Sequence, residues 1–309
     1  MAKKNKLIAW LEYIPLRGVL AVMGAMPRGA AVKTGQSVVG LLMRAVPKLR
    51  KTAYRNLEIA FPEMDADEKD RIVGGVQQSL GRVLGEMSRF GKLTKADLCE
   101  MIEFRFDPET QKQYEKFRAE GRGTIIISPH MGNWELLVFA WSALREPISY
   151  LARPLDNPLI EKLTVSLRTR FGNRPINKTN AVSAAINILR DGGTLGILAD
   201  VNTHPKEGVF VPFFGVQACT TSGPAMLAMR TGAVIIPVAG VWDKAAGKYI
   251  AVHGKIIEPA ATGNRKADIV TTTAEFTAEI ERLVRAYPEQ WMWIHKRWKT
   301  RPPGEPGLY

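Results

Sequence analysis

The segment Ser128-Pro129-His130-Met131-Gly132-Asn133-Trp134-Glu135 sets an imidazole and a carboxylate five residues apart. A histidine whose ring is held by a carboxylate is a general base of fixed tautomer, the base and orienter of a catalytic triad. The third member, a protein nucleophile, is not evident. There is no G-x-S-x-G elbow, and Ser128, two residues from His130, is not excluded by spacing alone. If the protein supplies no nucleophile, a substrate hydroxyl takes that part and the reaction becomes direct transfer to an alcohol. Taken alone, His-x4-Glu is equally an ordinary structural pair. His204, His253 and His295, with the remote Cys99 and Cys219, give no metal-ligand spacing, and no P-loop or G-x-G-x-x-G marks a nucleotide site. No metal or organic cofactor is expected.

The surrounding periodicity shows what positions this pair. Residues 124–128 form a β-branched run that delivers His130 to a loop at a strand's carboxyl end. Gly132 permits a tight turn, and Asn133 caps a helix over 133–144, with Glu135 in its first turn. Strand-like runs at 148–152, 194–199 and 233–239 alternate with helical patterns at 157–171, 180–190 and from Pro224 to Gly232. Strands separated by helices of about a dozen residues predict an α/β fold, a mainly parallel sheet with helices on both faces. Active sites in such sheets gather beyond the carboxyl ends of the strands. Residues 46–120 read as helical and polar, and a long helix is expected from about Lys266 to Tyr287, ended by Pro288. The uncharged run 208–229 carries Gln217, Thr220, Thr221, Ser222 and Pro224 in its middle, so it reads as a strand, a turn and a helix start rather than a membrane span.

Several ordered blocks resemble the bacterial lipid A biosynthesis (lauroyl/myristoyl) acyltransferases of the lysophospholipid acyltransferase-like superfamily. Ser128 to Leu136 resembles the first motif. Tyr150-Leu151-Ala152-Arg153-Pro154-Leu155-Asp156-Asn157-Pro158 and Leu167-Arg168-Thr169-Arg170-Phe171-Gly172 are similar to the second. Leu198-Ala199-Asp200 with Gly208-Val209-Phe210-Val211-Pro212-Phe213-Phe214-Gly215 resembles the third, and Arg230-Thr231-Gly232-Ala233 through Val238 the fourth. Asn56-Leu57 before Phe61-Pro62, and Pro288 to Trp293 with His295 to Lys299, also look like parts of the family. One departure is Val201, where the family usually has glutamine.

The resemblance implies that His130 takes the proton of an acceptor hydroxyl attacking a thioester, while Glu135 orients the imidazole. It implies substrate-binding roles for Arg168, Asp200, Asn133, Gly208 and Arg153, with Arg168 a phosphate ligand and Gly208 serving through its backbone. Arg170 and Arg230 are weaker candidates, and Phe210, Phe213 and Phe214 line either an acyl channel or the core. The donor implied is acyl carrier protein and the acceptor a lipid A precursor, at the cytoplasmic face of the inner membrane. Rival readings are an acyltransferase for another glycolipid or a lysophospholipid, such as a phosphatidylinositol mannoside, using acyl-CoA, or a non-catalytic lipid- or nucleic-acid-binding protein.

Charge supports a membrane partner. The 309 residues hold 43 Lys and Arg against 30 Asp and Glu, a net +13, and 46% are apolar, which excludes disorder. The excess sits at the ends: residues 1–60 carry six Lys and five Arg against two Glu, and 289–301 add net +3. Leu7, Trp10, Leu11 and Ile14 share one helix face behind Lys3, Lys4 and Lys6, an interfacial pattern. Pro27, Arg28 and Lys33 interrupt the apolar stretch that follows, so neither piece is expected to reach the ~20 apolar residues of a span. Residues 1–45 are therefore expected to lie on a membrane or anchor in it, with a tilted or re-entrant hairpin and a helical pair packed on the core as the alternatives, and 46–309 to form the acyltransferase domain. Tryptophans 291, 293 and 298 beside cations read as interface anchors, or as stacking platforms for nucleic acid, the less favoured partner.

Overall fold

The computed structural model describes residues 5–151, 155–176 and 181–309. Lys3, Lys4, Arg153 and the expected helix cap Asn180 lie outside them. Helices α1 (Lys6–Ala25), α2 (Arg28–Ala45), α3 (Pro47–Ala60) and α4 (Ala66–Met87) come first. They are followed by α5 (Lys95–Met101), β1 (Ile102–Phe104) and α6 (Pro108–Ala119). The alternating region holds β2 (Thr124–Ser128), α7 (Trp134–Leu144), β3 (Ile148–Tyr150), α8 (Pro158–Arg168), β4 (Arg174–Pro175), α9 (Ala181–Arg190) and β5 (Thr194–Leu198). The remainder is β6 (Gly208–Phe213), β7 (Val216–Thr221), α10 (Gly223–Thr231), β8 (Val234–Asp243), β9 (Lys248–His253) and α11 (Arg265–Ala286).

Seven strands form one sheet in the order β1-β9-β8-β2-β5-β3-β4, every neighbouring pair parallel except β8 with β9. β2 is buried along its whole length, which is why its sequence is a continuous apolar run rather than an alternating one. Its side chains still alternate between faces. Ile125 and Ile127 pack with α9, α11 and the C-terminal tryptophans, and Ile126 with α5, α6 and α7. The helix expected from Lys266 and the short helix at Pro224 are both present. The run 208–229 differs in one respect: a whole β6–β7 hairpin precedes α10.

Two expectations about the ends change. The helix α1 passes through Pro15 without breaking and, at 20 residues, is long and apolar enough to cross a membrane by length and composition. The second half of the expected membrane segment belongs largely to the protein body. A Cβ on Gly35 would lie 2.2 Å from the Gly81 carbonyl oxygen, so α2 and α4 touch backbone to backbone. Trp291, Trp293 and Trp298 are no interface anchors; all three are fully buried, packed on Phe213 and Phe214. Their apolar area holds the C-terminal segment against the sheet.

Candidate active site

β2 and β5 lie side by side with Ser128 opposite Leu198. His130 and Asp200 each fall two residues beyond that pair, so the parallel register alone brings them together above the strand ends. The His130 Nδ1 is 2.8 Å from Asp200 Oδ1, and the His130 backbone N–H donates to Asp200 Oδ2 at 2.8 Å. Trp291 Nε1 donates to the same Oδ2 at 2.7 Å. With Nδ1–H committed to the carboxylate, the tautomer leaves Nε2 unprotonated and available as a base.

The loop is fixed on several sides. Met292 N–H donates to the His130 carbonyl at 3.0 Å, Gly132 N–H to Gln290 O at 2.9 Å and Asn133 N–H to Gly240 O at 2.8 Å. Gly132 has φ +56°, and a Cβ there would stand 2.0 Å from the Gly240 carbonyl oxygen, so no side chain fits without displacing the loop. Gly132→Ala is expected to cost about 2 kcal/mol or more in denaturant unfolding and to depress turnover with it. A variant as stable and active as the parent would show that the loop tolerates displacement.

Burial is the largest single influence on His130 and disfavours its charged form. The charge and hydrogen bond of Asp200, with a smaller share from Glu135, outweigh it and raise the pKa above the ordinary histidine value. Asp200 is fully buried, which alone would raise its pKa; His130, Trp291 and the His130 N–H together hold it below the usual carboxylate value.

The carboxylate in contact with the His130 ring is therefore Asp200, where Glu135 was expected. Glu135 does not bind the His130 ring but forms a bidentate pair with Arg168, Nε to Oε2 at 2.9 Å and a second contact from Nη2 to Oε1. The first turn of α7 points Glu135 toward the end of α8, while Asp200 already fills the Nδ1 side of the imidazole. Arg168 is correspondingly occupied by Glu135. The arginine keeps a raised pKa despite burial because of that partner.

Asn133 is fully buried and uses its side chain structurally, accepting from Leu136 N–H to cap α7 and donating to Glu86 Oε2 at 2.8 Å. Glu86 is in turn held by Arg28 at 2.7 Å, so α2 and α4 support the His130 loop from behind, a link that no local pattern reveals. Gly208 abuts the Thr220 carbonyl and the Thr203 methyl and serves backbone packing. Arg170 donates to Phe90 O at 2.7 Å, and Arg230 edges a separate surface hollow with Met226 and Asp268. Phe213 and Phe214 belong to the tryptophan core rather than to a channel.

A narrow, mainly apolar cleft runs between α7 and the sheet near the base. Ile126, Leu137, Val138, Trp141, Ile148 and Leu198 line it, with Ser128, Tyr150, Glu135 and Arg168 as its polar groups. Trp134, whose ring packs edge-on at 5.2 Å from the His130 ring, joins cleft to base. Ser128 Oγ donates to Pro129 O at 3.2 Å and no hydrogen bond links it to His130. Among the described residues no cluster of His, Cys, Asp or Glu fits a metal ion.

A mainly parallel α/β sheet that presents a carboxylate-held histidine at its strand ends, next to an apolar cleft, has the parts of an enzyme that activates a hydroxyl for group transfer. The chain belongs to the bacterial lipid A biosynthesis acyltransferase family, whose pattern matches residues 2–300. It is 31% identical over 304 residues to the lipid A biosynthesis lauroyltransferase of Escherichia coli K12, covering 97% of this chain and 95% of that one. To the palmitoleoyltransferase of the same organism it is 28% identical, covering 97% and 94%. To the E. coli myristoyltransferase it is 25% identical over 258 residues, covering 83% and 77%. The chain is an acyltransferase.

Proposed function

We propose that this enzyme moves a fatty acyl group from acyl carrier protein to a hydroxyl of a lipid A precursor, with His130 as general base and Asp200 as its orienter. The observation that carries this reading is the His130–Asp200 pair, joined through the Trp134 ring to an apolar cleft, in a chain of this family. The acceptor oxygen attacks the thioester carbon as Nε2 takes its proton. Collapse of the tetrahedral intermediate breaks the carbon–sulfur bond, and the imidazolium returns the proton to the leaving thiolate, giving an ester and a free thiol. Asp200 stabilises the imidazolium between these steps. General-base assistance contributes about 10²–10⁴ in rate, and positioning of the two lipids supplies much of the rest.

The site works at a membrane, in this reading at the cytoplasmic face of the inner membrane. Leu7, Trp10, Leu11, Ile14 and Val22 of α1 are exposed, as are Leu41 and Leu42 of α2, a patch suited to lipid. α1 is tied to the catalytic unit through Asn157, which caps α8 and donates to Ala9 O and Glu12 Oε2, each at 2.9 Å. Membrane docking thereby positions the helix that carries Arg168.

Mass spectrometry of lipid A and phospholipids from cells with and without the gene tests the assignment. Loss of one acyl chain from lipid A is expected, restored by the wild-type gene and not by His130→Ala. Unchanged lipid A with an altered phospholipid or other glycolipid would overturn the acceptor.

A further inference from the structure

Tyr150 closes β3 and lines the cleft, is 8% exposed, and its buried hydroxyl has no hydrogen-bond partner among the described residues. Orphaned buried polar atoms are rare because each forfeits its hydration without replacement, a cost of about 1–3 kcal/mol. An orphan on the wall of a ligand cleft is a donor waiting for the ligand. The surroundings say which oxygen it meets. Tyr150 stands opposite Gly196 of β5, which is itself opposite Ile126 of β2, so its backbone lies level with the apolar wall. The Arg168 guanidinium, bound to Glu135, sits 5.7 Å from the centre of the Tyr150 ring. Glu135 and Arg168 line the same cleft as Tyr150, and so does Trp134, whose ring packs on His130. Trp141 Nε1 is also without a partner among the described residues. It is enclosed by Phe104, Phe106 and Tyr114.

A saturated acyl chain has one hydrogen-bond-accepting oxygen, that of its thioester carbonyl, while the acceptor hydroxyl is engaged by His130. We propose that the Tyr150 hydroxyl donates a hydrogen bond to the carbonyl oxygen of the donor thioester, selecting an acyl group and holding its carbonyl at the mouth of the cleft. This rests on the acyl-transfer reading above and names a specificity residue within it.

The test uses the full chain, wild type and Tyr150→Phe, in binding without acceptor and then in turnover with it. It compares binding of dodecanoyl-pantetheine with that of the dodecyl thioether, which lacks the carbonyl. The wild type is expected to prefer the thioester, and Tyr150→Phe to reduce that preference by about tenfold, the worth of one well-made hydrogen bond. kcat/KM for the thioester should fall by a similar factor, with KM for the acceptor unchanged. Because the hydroxyl bonds none of the described residues in the free protein, Tyr150→Phe should melt at the same temperature or higher. An unchanged preference overturns the assignment, as does a lower Tm with normal transfer, or an effect confined to acceptor KM. Failure of the wild type to bind either ligand, or normal transfer by His130→Ala, would instead remove the acyl-transfer reading on which it rests.

Discussion

Asp200→Asn is expected to lower kcat by about 10³–10⁴ while leaving the fold intact, because an amide in that position no longer fixes the imidazole tautomer or stabilises its cation. The pH profile should change in a defined direction. His130 acts as a base only when unprotonated, so its raised pKa sets an acidic limb above the ordinary histidine value, with activity lost as pH falls through it. Burial is the largest influence on that pKa and lowers it; Asp200 is the main opposing one. Removing the Asp200 charge leaves burial dominant, and the limb should move to lower pH in the slow variant. Glu135→Gln should shift the limb far less, since Glu135 is the lesser of the two charges acting on His130. Profiles of kcat/KM against pH check both. If Glu135→Gln moved the limb more than Asp200→Asn did, the carboxylates would have to exchange roles.

Arg168→Met is expected to destabilise the protein by about 3 kcal/mol, since breaking a buried pair leaves its partner uncompensated. The side chain of Glu135 is only 9% exposed and that of Arg168 25%, so solvent screens the stranded carboxylate poorly. Glu135→Gln alone should cost a comparable amount. The double variant should cost clearly less than the two single effects added, with a coupling of about 1–3 kcal/mol. Urea denaturation of the four proteins measures this. Additive effects would mean the pair contributes no coupling, and Arg168 would then be free to bind substrate phosphate, the role its sequence position suggests.

The region from residue 124 was legible because β2 and β3 are buried throughout and helices carry their own punctuation: Asn133 and Asn157 as caps, Gly232 as a stop. His130 was legible for the same reason, as the residue a buried strand delivers to the strand ends. Its partner was not. Asp200 is 70 residues away, and only the adjacency of β2 and β5 shows that the two meet, whereas Glu135 is near in sequence but turned away by α7. The β6–β7 hairpin escaped because its turn uses Phe214 at φ +52°, a conformation bulky residues seldom adopt, here held by packing on Phe61, Trp293 and Trp298. The tryptophans were misread because basic neighbours suggested an interface. Arg297 is itself buried, donating to Cys219 O at 3.0 Å and Thr220 Oγ1 at 2.5 Å, and burial lowers its pKa to about 10. The basic C-terminal segment is thus in part a brace beside Asp200, and the exposed apolar residues of α1 and α2 carry the membrane signal.

The most direct measurement is acyl transfer by the purified full-length chain, from labelled acyl carrier protein to a lipid A precursor in anionic vesicles, followed by mass spectrometry of the lipid. The wild type is predicted to add one acyl chain in ester linkage, and His130→Ala to reduce that rate by at least about 10². Transfer at an undiminished rate by His130→Ala, or no ester product from the wild type, would contradict the account.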